Sequence, residues 1–179
     1  DLSAGLSRQD FPHRALWRAM RKILTGQPGG QIVEAIAGVD IALWDIAGKA
    51  ANQPIHKLLG GMGRKRVPAY ASSINWLDDA TVEEEVASAL KAGFKEIKVK
   101  LGNPVDAAIA RARFIRKLAG DRTALYVDAN CCYDVDDAFR VGRALADLGY
   151  TFFEEPIPAY DHAGYARLAG QLPIRLAAG

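Results

Sequence analysis

The feature that most limits what this chain can fold into is a change of grammar at Val67. From there, short apolar runs alternate with helical stretches that stop at glycine. Residues 67–72 read as a strand. A helix carrying Val82, Val86 and Leu90 follows and runs to Gly93, with Thr81 and Glu84 spaced as a capping box. The pattern then repeats: strand 96–101, helix 105–118 before Gly120, strand 124–130, helix 135–148 before Gly149, strand 150–154, a shorter helix through 164–168, and a fifth strand at 174–178. Strands alternating with helices imply parallel pairing and right-handed crossovers. An open doubly wound sheet and a barrel share this signature. The polar residues favour the barrel. Lys98-Val99-Lys100, Asp128-Ala129-Asn130 and Glu154-Glu155-Pro156 close three consecutive strands. A barrel collects its chemistry from several strand ends, whereas an open sheet collects it at one switch point. No Gly-x-Gly-x-x-Gly follows any of these strands. The expected fold is α/β: a partial (β/α)8-type TIM barrel, made of the first four βα units plus the fifth strand.

Side chains alternate faces along a strand. Lys98 and Lys100 therefore share one face, with Ile97, Val99 and Leu101 on the other. Tyr126, Asp128 and Asn130 share a face opposite Leu125, Val127 and Ala129. The apolar sets belong against the outer helices, which points the lysines and carboxylates inward. Glu154 and Glu155 face opposite ways, so only one of them can enter. Two ammonium groups near each other are costly unless carboxylates or a metal compensate. Their proximity is expected to lower lysine pKa, which suits a general base. Carboxylates converging from neighbouring strands suit a hard cation such as Mg²⁺. A plain salt-bridge network is the structural alternative, weakened here by the involvement of three successive strand ends.

Ahead of the barrel, residues 11–60 read as helical. Ile32, Ile36, Val39, Leu43 and Ile46 form an apolar stripe that Trp44 widens. Gly60-Gly61 ends it, and Pro28-Gly29-Gly30 separates it from an earlier helix with Leu16, Met20 and Ile23. Domains are expected at 1–62 and 63–179. Lys and Arg number 23 against 21 Asp and Glu, a net charge of +2 that favours neither nucleic acid nor an acidic membrane surface as partner. The run Arg64-Lys65-Arg66 reads as a solvated loop. No apolar stretch approaches the roughly 18 residues of a membrane span, and no signal peptide is legible. Adjacent Cys131 and Cys132 make no disulfide framework, which fits a reducing, cytoplasmic setting. His13, His56 and His162 read as structural or solvated. Asp40 and Asp45 read as polar-face or interdomain residues. Cys131 and Cys132 lie at the strand-end mouth without a clear reactive role. The chain opens on Asp1 and stops at Gly179, and it reads as trimmed at both ends.

The strings Gly93-Phe94-Lys95-Glu96-Ile97-Lys98-Val99-Lys100, Val127-Asp128-Ala129-Asn130, Phe153-Glu154-Glu155-Pro156 and Val39-Asp40-Ile41-Ala42-Leu43-Trp44-Asp45-Ile46-Ala47-Gly48-Lys49 resemble the mandelate racemase and muconate lactonizing branch of the enolase superfamily. The resemblance spans nearly the whole chain. It implies that residues 1–62 are the helical part of an α+β capping domain. It also implies Asp128 and Glu154 as the first two Mg²⁺ ligands, Lys100 as general base, Lys98 as its pKa-tuning neighbour that contacts the substrate carboxylate, and Asn130 as a substrate-pocket residue. Leu176-Ala177-Ala178-Gly179 resembles the stretch just before the third ligand, and a His-Asp pair would lie further on. The family chemistry is Mg-dependent abstraction of the proton α to a carboxylate through an enediolate.

Sugar-acid dehydration is the first expected activity, supported by the similarity of Pro158-Ala159-Tyr160-Asp161-His162 to some family members. Racemisation, epimerisation or cycloisomerisation are the alternatives. Two other readings stay open. A barrel lysine could form a Schiff base. The segment as written could also lack activity, because a closed barrel of this type takes about 250 residues and exposed sheet edges invite association. The resemblance implies a small carboxylate substrate (a sugar acid or hydroxy acid) and a homo-oligomer in the intact protein.

Overall fold

The computed structural model describes residues 13–22, 30–61 and 63–178. Ile23, Pro28, Gly29 and Gly179, named above, and the side chain of His13, lie outside the described residues. The chain divides into two units, 1–67 and 68–179.

The first unit is helical where described: α1 (His13–Arg21) and α2 (Gln31–Ala50) lie on either side of the expected separator, and the second expected helix is broken after Ala50, which leaves α3 (Ile55–Leu58) as a separate turn. Helix α2 starts after Gly30, whose φ of 87° few other residues tolerate. It ends where the Gln53 N–H turns back to the Gly48 carbonyl at 2.9 Å. A Cβ on Gly48 would lie 3.0 Å from the Gln53 carbonyl, so this reversal needs the missing side chain. Of the α2 stripe, Ile36 is buried, while Ile32, Val39 and Ile46 stand about half exposed. Gly60 and Gly61 end the unit's last turn with positive φ.

The second unit runs β1 (Ala71–Ile74), α4 (Asp79–Lys91), β2 (Glu96–Lys100), α5 (Val105–Ala119), β3 (Ala124–Asp128), α6 (Val135–Asp147), β4 (Phe152–Glu154), α7 (His162–Gln171) and β5 (Arg175–Ala177). All pairings are parallel, in the order β1-β2-β3-β4-β5. Neighbours in sequence are neighbours in space throughout. A doubly wound sheet must reverse its strand order at a switch point, and this one does not. The alternative left open by the sequence is thereby resolved in favour of barrel topology.

Two local expectations need correction. The first strand begins at Ala71 rather than at 67, because Pro68 has no N–H to give to a ladder. The cap of α4 is Asp78, not Thr81. Its carboxylate accepts the Thr81 N–H at 3.0 Å and the Thr81 hydroxyl at 2.6 Å, so Thr81 already lies inside the helix.

The core lies between the sheet's outer face and the helices. Ile97, Val99, Leu125, Val127 and Phe153 are 0% exposed and cluster with Val82 and Val86 of α4, Ala108, Ala112 and Ile115 of α5, and Val141 and Leu145 of α6. Each such apolar side chain contributes about 1.5–3 kcal/mol on burial. At the end of the sheet where strands begin, Arg116 donates to the carbonyls of Gly120, Thr123, Leu148 and Gly149, at 2.8–3.0 Å, with its guanidinium 5.4 Å from the centre of the Tyr150 ring.

Candidate active site

The other face of the same strands carries the charge. Register places Lys100 beside Asp128, and Asp128 beside Glu154. Lys98 lies beside Tyr126, one layer lower, but its stem carries the ammonium up to the carboxylates. Its Nζ donates to Glu154 Oε2 at 2.6 Å and lies 3.7 Å from Asp128 Oδ2. Lys100 Nζ donates to Asp128 Oδ2 at 2.6 Å and to Asn130 Oδ1 at 2.7 Å. The five residues singled out in the sequence therefore meet in one cluster at the strand ends. It holds two positive and two negative charges, which meets the compensation requirement for burying them.

The strand-end backbone holds these groups in place. Asn130 has φ 46°, a left-handed conformation that asparagine tolerates well. Its N–H donates back to Asp128 Oδ1 at 3.0 Å. Past the strands, the Cys131 N–H donates to the Glu155 carbonyl at 2.7 Å, and the Glu155 N–H donates to the Ala177 carbonyl at 2.9 Å. Glu155, with φ 44°, turns the chain after β4. Glu154 is the one of the pair that joins the cluster.

Electrostatics follow from these contacts. Burial pushes the Asp128 carboxyl up, but the Lys100 hydrogen bond, the Asn130 N–H and both ammonium charges outweigh it, so its pKa is lowered. For Lys98, burial disfavours the charged form, yet the hydrogen bond and charge of Glu154, with smaller help from Tyr70 and Asp128, raise its pKa. For Lys98 the direction is opposite to the lowering expected from the lysine pair, because the carboxylates outweigh burial, the effect that opposes them.

Beneath the cluster lies an aromatic layer. Tyr126 stacks on Phe152, with centroids 4.3 Å apart, and Tyr70 meets Tyr126 edge-on at 5.4 Å. The Tyr126 hydroxyl donates to Glu96 Oε2 at 2.6 Å. Burial, then the Glu96 hydrogen bond and charge, push its pKa up to about 12. The Lys98 ammonium lies 5.7 Å from the centre of the Tyr70 ring. Sequence reasoning did not single out Tyr70: it lies within the expected strand 67–72 but just ahead of the observed β1, so alternation does not place its side chain. Tyr126 was placed on the inner face by alternation alone.

His56 and His162 are exposed. Asp45 pairs with Lys49 at 2.6 Å on α2. Cys131 and Cys132 are free and half-buried, and burial raises the Cys132 pKa. The basic run 64–66 is exposed. No helix among the described residues is long and apolar enough to cross a membrane.

Among the described residues no three acidic, histidine or cysteine side chains are grouped to hold a metal. Asp128 and Glu154 share the Lys98 ammonium, at 3.7 and 2.6 Å. Asp128 and Glu154 offer hard oxygen donors from adjacent strands, the donor type that Mg²⁺ takes one or two at a time alongside substrate and water. The residues present fit that cation as a partial ligand set.

Comparison with known proteins agrees with this geometry. The family model "Enolase C-terminal domain-like" matches residues 81–179, and "Mandelate racemase / muconate lactonizing enzyme, N-terminal domain" matches residues 5–60. An arabinonate dehydratase from Saccharolobus solfataricus is 42% identical over 167 residues, covering 90% of this chain and 44% of that protein. A 3,6-anhydro-alpha-L-galactonate cycloisomerase from Streptomyces coelicolor is 38% identical over 168 residues, covering 92% and 46%. A mandelate racemase/muconate lactonizing protein from Paracoccus denitrificans PD1222, crystallised with magnesium, superposes with a TM-score of 0.84 at 37% identity, covering 98% of this chain and 49% of that one. The chain thus spans about half the length of the curated relatives it matches.

Proposed function

The chain belongs to the mandelate racemase/muconate lactonizing enzyme family of the enolase superfamily, and on that premise we propose that its strand-end cluster serves abstraction of the proton α to a carboxylate. The observation that carries this reading is the placement of Lys100, held between Asp128 Oδ2 and Asn130 Oδ1 on the inner face of three successive strands. The substrate class is a sugar acid, as the names of similar dehydratases and cycloisomerases suggest. Dehydration is the first reading, and racemisation, epimerisation or cycloisomerisation are the alternatives.

In this reading Asp128 and Glu154 hold Mg²⁺. The chemistry a bound Mg²⁺ supplies is Lewis-acid stabilisation of the negative charge that builds on the substrate carboxylate. Lys100 takes the α-proton on its amine nitrogen, which requires the free base. Asn130, already hydrogen-bonded to Lys100, orients that amine and lines the substrate pocket. Lys98 contacts the substrate carboxylate from beside Lys100. A Schiff-base route is disfavoured, since both lysines are ion-paired to carboxylates rather than set in an apolar pocket.

The test is Lys100→Ala in a parent protein of full barrel length that carries this segment. Exchange of the substrate α-proton with solvent should fall by at least about a thousandfold, on the scale of losing a general base. Exchange at the unaltered rate would remove Lys100 from the role.

A further inference from the structure

Resting on the metal role proposed for Asp128 and Glu154, we infer that Tyr70 is a positioning residue: its ring holds the Lys98 ammonium and sets how readily Lys98 yields those carboxylates to a divalent cation. Among the described residues, three groups face the Lys98 ammonium. Glu154 Oε2 lies at 2.6 Å, Asp128 Oδ2 at 3.7 Å, and the centre of the Tyr70 ring at 5.7 Å. The first two are the groups a divalent cation would claim, and the third is not. Ammonium and metal ion compete for the same negative charge, so cation binding weakens the hold of both carboxylates on Lys98. Its side chain is only 13% exposed, so an ammonium released there is poorly hydrated. The face of an aromatic ring within about 6 Å is then its remaining support.

That support is itself braced. Tyr70 stands edge-on against Tyr126, at 73° between the ring planes. Tyr126 is stacked at 4° on Phe152 and anchored through its hydroxyl to Glu96. A chain of contacts thus runs from the floor of the sheet to the ammonium. Lys98 opposes the cation, and the Tyr70 ring offsets that opposition.

The experiment measures Mg²⁺ affinity by titration calorimetry, with no substrate, in the parent protein of full barrel length. Lys98→Met should bind Mg²⁺ at least about tenfold more tightly, because a unit charge within a few ångströms is removed. Tyr70→Leu should bind it about threefold more weakly, the scale of a partly exposed cation–π contact. The double variant should match Lys98→Met alone, because the ring then has no ammonium to hold. Tyr70→Phe keeps the ring and should match the wild type. If Tyr70→Leu does not fold, Tyr70→Trp takes its place, with affinity expected to rise, since indole is the better cation-binding face. Tyr70→Leu without effect, Tyr70→Leu equally costly with and without Lys98, or Tyr70→Trp without gain would overturn the inference and leave the metal reading standing. Absence of Mg²⁺ binding in both wild type and Lys98→Met would overturn both.

Discussion

The two faces of one sheet obey different rules. On the outer face Ile97, Val99, Leu125, Val127 and Phe153 are fully buried and need only shape and apolarity. On the inner face Lys98, Lys100 and Glu154 are partly exposed, Asp128 is buried, and all four are held by directed contacts of 2.6 Å. Strand alternation delivers both sets from the same 13 positions of β2, β3 and β4. The contrast shows where stability and chemistry reside. A change on the outer face removes packing that the whole unit shares, while a change on the inner face alters charge balance and leaves the fold standing.

The largest effect is expected at Phe153→Ala, which opens a cavity in the outer layer and should cost about 3–5 kcal/mol in urea unfolding. A loss under about 1 kcal/mol would break the contrast, because it would mean that the outer face can collapse around a missing ring. Next comes Asp128→Asn. It leaves two ammonium groups short of a partner and should cost about 2 kcal/mol, below the value for a fully buried pair because Lys100 is a third exposed. The same group sets an acid limit. Asp128 has a folded pKa lowered below 3.8, so its stabilisation is present above that pH and is lost as pH falls through the folded value. Asp128→Asn should flatten that part of the acid unfolding curve. The smallest effect is expected at Tyr126→Phe, about 1–2 kcal/mol for a hydrogen bond to a charged acceptor. Here the folded pKa is raised from 10.0 to about 12, so the folded state keeps its proton longer and stability falls as pH rises between those values. Tyrosinate absorbance during alkaline titration should lose one tyrosine's worth of its late-titrating signal in Tyr126→Phe, while Tyr133 and Tyr150, whose pKa values burial also raises, keep theirs.

Much of this was legible in the sequence because period-two alternation and glycine stops are local signals. They placed Lys98, Lys100, Asp128 and Tyr126 on one face before any pairing was known. What they could not supply was register. Lys98 lies beside Tyr126 in the ladder yet bonds to Glu154 two strands away, a contact set by stem length rather than by sequence spacing. The raised pKa of Lys98 follows from that partner, so reading the two lysines alone gave the wrong direction. Alternation also left Glu154 and Glu155 undecided, because a three-residue strand has too few positions to phase itself. Tyr70 falls inside the expected strand 67–72, but pairing begins only at Ala71, so alternation along that run does not set its face.

At the far end of the sheet, Arg116 bonds four carbonyls drawn from two successive helix-to-strand reversals. Neither reversal can loosen alone without stranding a charged group among unfilled hydrogen bonds. The two therefore share one opening event, and the sheet is tied down at the end opposite the chemistry. On the function proposed above, motion that admits a substrate would fall to the strand-end loops, at the end of the sheet that Arg116 does not tie.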